Sequence, residues 1–184
     1  TGVSPEEETI ADLLKKKNYK TLAVGKWHLG DHPTMMPTAQ GFDEYLGIPY
    51  SNDMWPFNND NTRATPETNK TRASLPELPL YHNLEVVREF KSIQEQEVIT
   101  TLYTEKAVQF IKESRKQPFF LYLAHNLPHV PLAVSEKFKG KSRQGMYGDV
   151  MMEIDWSVGQ VLQTLKELKL EEKTLVIFTS DNGP

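Results

Sequence analysis

Three short clusters carry the residue types that hydrolytic chemistry needs: Lys26-Trp27-His28, the histidines at 125 and 129, and Asp181-Asn182. Lys26 is a compact cation that can hold one oxygen of a tetrahedral oxyanion. His28, two residues on, can hydrogen-bond a nucleophile. His129 lies between Pro128 and Val130-Pro131, where the prolines narrow the backbone and hold the imidazole in place. An imidazole titrates near neutrality, which suits protonation of a leaving oxygen. Asp181 and Asn182 offer oxygen donors only, a set for a hard cation such as calcium or magnesium rather than zinc. Each cluster also has a plainer reading. Lys26 can be a solvated cation, His28 and His129 loop histidines, and Asp181-Asn182-Gly183-Pro184 a turn. His125 reads as structural.

The elements that must position these clusters can be read from the apolar pattern. Each cluster follows an apolar run: residues 21–24, the stretch Phe119-Phe120-Leu121-Tyr122-Leu123-Ala124, and residues 174–179. Continuous runs of this kind predict strands buried on both faces. Ser4-Pro5 followed by acids predicts a helix start, with Asn18 near its end. Helices are predicted over 98–116, with Leu102, Ala107, Val108 and Ile111 inward. A second is predicted over 148–168, with Val150, Ile154, Val158, Val161, Leu162 and Leu165 inward. Residues 31–85 are rich in Pro, Asn, Asp and Thr and read as a long loop-rich insertion over one end of the sheet, near the active site. Alternating helices and apolar strands predict an α/β fold, with a mainly parallel sheet and helices on both faces. In such sheets ligands bind beyond the carboxyl ends of the strands, so the three clusters should converge.

Bulk composition narrows the field. The chain has 184 residues, a length for one domain, and a net charge of −4, which argues against nucleic-acid binding. It has no cysteine, so neither a disulfide nor a thiolate metal site is available. No apolar run reaches the roughly 18 residues of a membrane span. The sequence does not begin with Met and stops just after an apolar run, so both ends read as cut.

Together the clusters resemble the sulfatase family of the alkaline phosphatase superfamily. Val24-Gly25-Lys26-Trp27-His28-Leu29-Gly30 is similar to its lysine and histidine motif, and Gly41 to Gly47 to the segment that follows. Pro128-His129-Val130-Pro131-Leu132 is similar to its active-site histidine segment, and Phe178 to Pro184 to its metal-binding strand end. The resemblance spans essentially the whole chain, in the expected order, and implies an alkaline-phosphatase-like fold, incomplete here. It implies that Lys26 binds a sulfate oxygen, His28 hydrogen-bonds the nucleophile, and His129 contacts the ester and protonates the leaving alcohol. It further implies that Asp181 and Asn182 ligate one calcium ion, and that Ser51 touches the sulfate. The substrate would be a small-molecule or saccharide sulfate ester, and the compartment periplasmic or secreted.

Departures from the family pattern matter equally. The family nucleophile is a formylglycine made from Cys or Ser in a Cys/Ser-x-Pro/Ala-x-Arg motif, and no such motif occurs here. The aspartate pair that supplies further metal ligands is missing, as is a second lysine beyond the Asp-Asn-Gly segment. The chain is therefore expected to be an internal fragment, inactive alone, of a sulfuric ester hydrolase. A phosphatase or phosphodiesterase of the same superfamily, or a non-catalytic sulfatase-like domain, stands as the alternative.

Overall fold

The computed structural model describes residues 2–58 and 60–182. Five strands form one open sheet: β1 (Lys20–Gly25), β2 (Glu44–Gly47), β3 (Leu78–His82), β4 (Glu85–Phe90) and β5 (Phe119–Ala124), in the order β4-β3-β2-β1-β5. β1 pairs parallel to both β2 and β5, while β2-β3 and β3-β4 are antiparallel. The helices are α1 (Ile10–Lys15), α2 (Pro66–Ala73), α3 (Ile93–Gln96), α4 (Ile99–Ser114) and α5 (Gly145–Glu167).

Alternation along β1 builds two cores. Leu22 and Val24 face one side, with Ile99, Tyr103 and Phe110 of α4 and with Trp55 and Phe90. Ala23 faces the other side, with Ala11 of α1 and with Trp27, Met36, Phe42 and Tyr45. Helices thus cover both faces of the central strand, as a parallel α/β sheet requires. α5 lies against α4, and with the chain after β5 it encloses a third core of Leu127, Val134, Phe138, Val150 and Ile154.

Several expectations change. α1 starts at Thr9 rather than Ser4, because Thr9 and Asp12 form a reciprocal capping box and Ser4 instead closes a turn onto Glu6 and Glu7. Residues 31–85 hold β2, β3 and the first residue of β4, so this stretch extends the sheet as well as looping over it. Their strands are short, and Pro79 sits within β3, which hides the period from a sequence pattern. β5 is an edge strand and only half-buried, with Tyr122 44% exposed. Residues 174–179 form no strand: they have no ladder to any described residue, and Leu175 and Phe178 are 86% and 74% exposed. On α5, Leu162 is exposed rather than inward.

Two glycines let the three parallel strands close up at their carboxyl ends. A Cβ on Gly25 would lie 1.9 Å from the Ala124 carbonyl oxygen, and one on Gly47 would lie 1.9 Å from the Gly25 oxygen. Gly25 also has φ +111°, a conformation L side chains rarely adopt.

Candidate active site

The segment after β1 is stitched to both neighbouring strands. Lys26 N donates to Ala124 O on the β5 side at 2.8 Å. Trp27 N and His28 N donate to Ile48 O and Pro49 O on the β2 side, at 3.0 and 2.9 Å. Trp27 is the root of this segment. Its ring is buried against the edge of Phe42, and its Nε1 donates to Met35 O at 2.8 Å. Lys26 is left half-buried and His28 exposed, the latter with φ 60° and its ring edge-on to Tyr50 at 5.6 Å. Partial burial, and next the Lys26 charge, lower the His28 pKa from the usual histidine value and so favour the neutral ring.

β2 delivers Ser51 and β5 delivers His129 to the same place. The Ser51 hydroxyl, on a residue only 3% exposed, lies 3.4 Å from His129 Nδ1 although 78 positions separate them. His129 Nδ1 is also 2.6 Å from Val130 O, an acceptor, so the hydrogen-bond network assigns the proton to Nδ1 and leaves Nε2 for other chemistry. The charges acting on the His28 ring include those of Lys26, His129, Asp53 and Asp181. Asp181 also bears on Tyr122 of β5, whose phenol is pushed up by burial first and by that carboxylate second. Lys26, His28, Ser51, His129 and Asp181 thus occupy one neighbourhood at the carboxyl ends of β1, β2 and β5. Asn182 follows Asp181 in an exposed bend, while Gly183 and Pro184 of the same motif lie outside the described residues.

Other residues separate from this group. His125 is half-buried beside α5: its Nε2 lies 3.1 Å from Ser157 Oγ, and desolvation of the ring pushes its pKa down to about 4, so it is the structural histidine expected. His82, for which the sequence offers no partner, bonds Glu44 Oε1 at 2.8 Å. Glu153 of the long helix α5 is not solvated. It is 1% exposed and accepts from Thr101 Oγ1 and Ser135 N. Asn52 and Asp53 were missed. Asn52 is fully buried and bonds Pro131 O at 3.0 Å, and the Asp53 carboxylate acts on His28. The available signal was a polar Ser-Asn-Asp run directly after an Ile-Pro-Tyr stretch, but β2 is too short to announce itself as the strand before it.

Comparison with known proteins gives the arrangement its context. The sulfatase family model matches residues 1–184. The chain belongs to the sulfatase family. It is 39% identical to human N-acetylgalactosamine-6-sulfatase over 189 residues, covering 99% of this chain and 34% of that protein. Human arylsulfatase A is 38% identical, with 100% of this chain and 37% of that protein covered. Among solved structures, the PsFucS1 sulfatase from Pseudoalteromonas sp. superposes with a TM-score of 0.85 at 32% identity, over 97% of this chain and 38% of that one. The chain therefore spans about a third of the length of these sulfatases. The five-stranded α/β sheet fits the alkaline-phosphatase-like fold of that family.

Sulfatase membership raises the question of a metal. Asp181 and Asn182 are hard oxygen donors and fit a hard cation in kind. They fall short of it in number, since calcium takes about six to eight oxygens. Among the described residues no three His, Cys, Asp or Glu side chains group closely enough to hold an ion.

Proposed function

We propose that this chain is part of a sulfuric ester hydrolase, and that Lys26, His28, Ser51 and His129 are its share of the sulfate-ester site. The observation that carries this reading is the meeting of Ser51 and His129 beside His28, where the charges of Lys26 and Asp181 also act. A saccharide sulfate is the favoured substrate class, on the strength of the likeness to N-acetylgalactosamine-6-sulfatase. Asp181 and Asn182 are the proposed first ligands of one calcium ion.

The roles follow from charge and hydrogen bonding. When present, a formylglycine from outside these residues would supply the nucleophilic oxygen, and calcium would draw charge from the sulfate. Lys26 Nζ holds a sulfate oxygen, where a fixed cation is worth most as negative charge builds in the transition state. The His28 ring can hydrogen-bond and orient the nucleophile. The Ser51 hydroxyl, held in a buried position, donates to a second sulfate oxygen. As the sulfur–oxygen bond to the alcohol breaks, the electron pair stays on the leaving oxygen, and His129, acting as an imidazolium with Nδ1–H on Val130 O, gives it the Nε2 proton and is left neutral. Val130 O holds Nδ1, so the ring is turned with Nε2 outward.

The test is expression of the complete open reading frame that encodes this chain, followed by assays on 4-nitrophenyl sulfate, 4-nitrophenyl phosphate and a 6-sulfated amino sugar. Sulfate release with calcium bound is expected, and the 184-residue chain by itself is expected to be inactive. Phosphate release alone, with two zinc ions bound, would overturn the reading in favour of a phosphatase.

A further inference from the structure

We propose that Asn52 is a positioning residue that joins the loop after β2 to the loop after β5 and so sets the approach of Ser51 to His129. The inference rests on the reading of His129 as proton donor. Asn52 is 0% exposed, and its Nδ2 donates to the Pro131 carbonyl at 3.0 Å across 79 positions of sequence. Its own backbone carbonyl accepts from Nε2 of the buried Gln96, at the end of α3, at 3.4 Å. Ser51 stands one residue before Asn52, and His129 two residues before Pro131. One bond therefore fixes the register of one chemistry-bearing loop on the other.

The other ties of the His129 loop cannot do this. His129 N bonds Asn126 O at 3.2 Å, and Nδ1 bonds Val130 O at 2.6 Å. Both act inside the loop and set its shape, not its distance from β2. The direct Ser51–His129 contact, at 3.4 Å, is too long to hold the loops by itself.

The side-chain chemistry points the same way. Asn52 sits between Ile48 and Trp55, two fully buried core residues, where an apolar side chain of similar size would avoid the desolvation of an amide. The amide is kept, and its buried Oδ1 has no hydrogen-bond partner among the described residues. A buried amide whose acceptor is unmet is a poor stabiliser. What it does provide is a directional link between two loops that carry the reacting groups.

The test uses the protein from its complete open reading frame, with Asn52→Leu, Asn52→Ser and His129→Ala. Hydrolysis is measured on an alkyl sulfate, whose leaving oxygen needs a proton, and on 4-nitrophenyl sulfate, whose leaving group does not. Folding is followed by thermal unfolding. For Asn52→Leu, kcat on the alkyl ester should fall by about 100-fold, the scale of a roughly 1 Å misplacement, with a much smaller loss on the nitrophenyl ester and little change in KM. Asn52→Ser keeps a donor and should show the same selective loss in weaker form; it carries the test if the Leu variant does not fold. Folded variants that lose both activities equally, or neither, overturn the proposal. If His129→Ala keeps the alkyl-to-nitrophenyl ratio of the parent, the assignment of His129 fails instead.

Discussion

The carboxyl ends of β1 and β5 and the segment 174–182 carry the same sequence signal, an apolar run followed by polar side chains, yet they reach different structures. Val24 of β1 is 1% exposed and hydrogen-bonded on both sides, whereas Ile177 is 76% exposed with no ladder on either. Apolarity and β-branching are alike in the two runs. The difference lies in what is beside them: β1 has a strand on each edge and a helix on each face, and 174–179 has neither. A strand is thus a property of its neighbours as much as of its residues.

Function offers the sharpest way to break that comparison. His129→Ala in the complete enzyme should lower kcat on alkyl sulfates by about 10²- to 10⁴-fold, the range of general-acid catalysis, and steady-state kinetics measures it. A loss below tenfold would mean that the meeting of Ser51 and His129 has no chemical consequence.

Stability sharpens it. Leu22→Ala should cost about 2–5 kcal/mol in urea unfolding, since it opens the core under α4, while Ile177→Ala should stay within about 0.5 kcal/mol. Comparable costs would show that residues 174–179 are buried after all. Gly25→Ala should cost about 3 kcal/mol, because it adds overpacking against Ala124 to a strained positive φ.

Acid provides a further contrast. The folded protein keeps His125 neutral down to about pH 4, whereas the unfolded chain protonates it near 6.5. Between these values the unfolded state binds more protons. Stability is therefore fully present above 6.5 and declines as pH falls toward 4, by an amount on the order of 3 kcal/mol. Urea midpoints measured across that window check it, and His125→Phe should flatten the slope.

Much of this was legible in the sequence. Long helices with clean periods, α4 and α5, lie within three residues of their predicted starts and two of their predicted ends, and the strands before Lys26 and His125 stand where their apolar runs predict. The short elements were not legible. β2 has four residues and β3 contains a proline, so neither shows a period, and Ser51 was found through resemblance rather than as the end of a strand. Glu153 and Asn52 were hidden for another reason: polar residues that bridge elements far apart in sequence look, from composition alone, like solvated ones. The 174–179 run misled in the opposite direction, since its residues have strand character without a strand's surroundings.

Trp27 has a consequence for how the pocket tolerates change. With the indole fixed to Met35 O and wedged beside Phe42, the flanking lysine and histidine behave as two tines on one handle. A ligand that shifts the backbone of this segment must carry both residues with it or uproot the indole. Selection among differently sized sulfate esters should therefore fall to the walls of the cleft, leaving the fork unchanged from one substrate to the next.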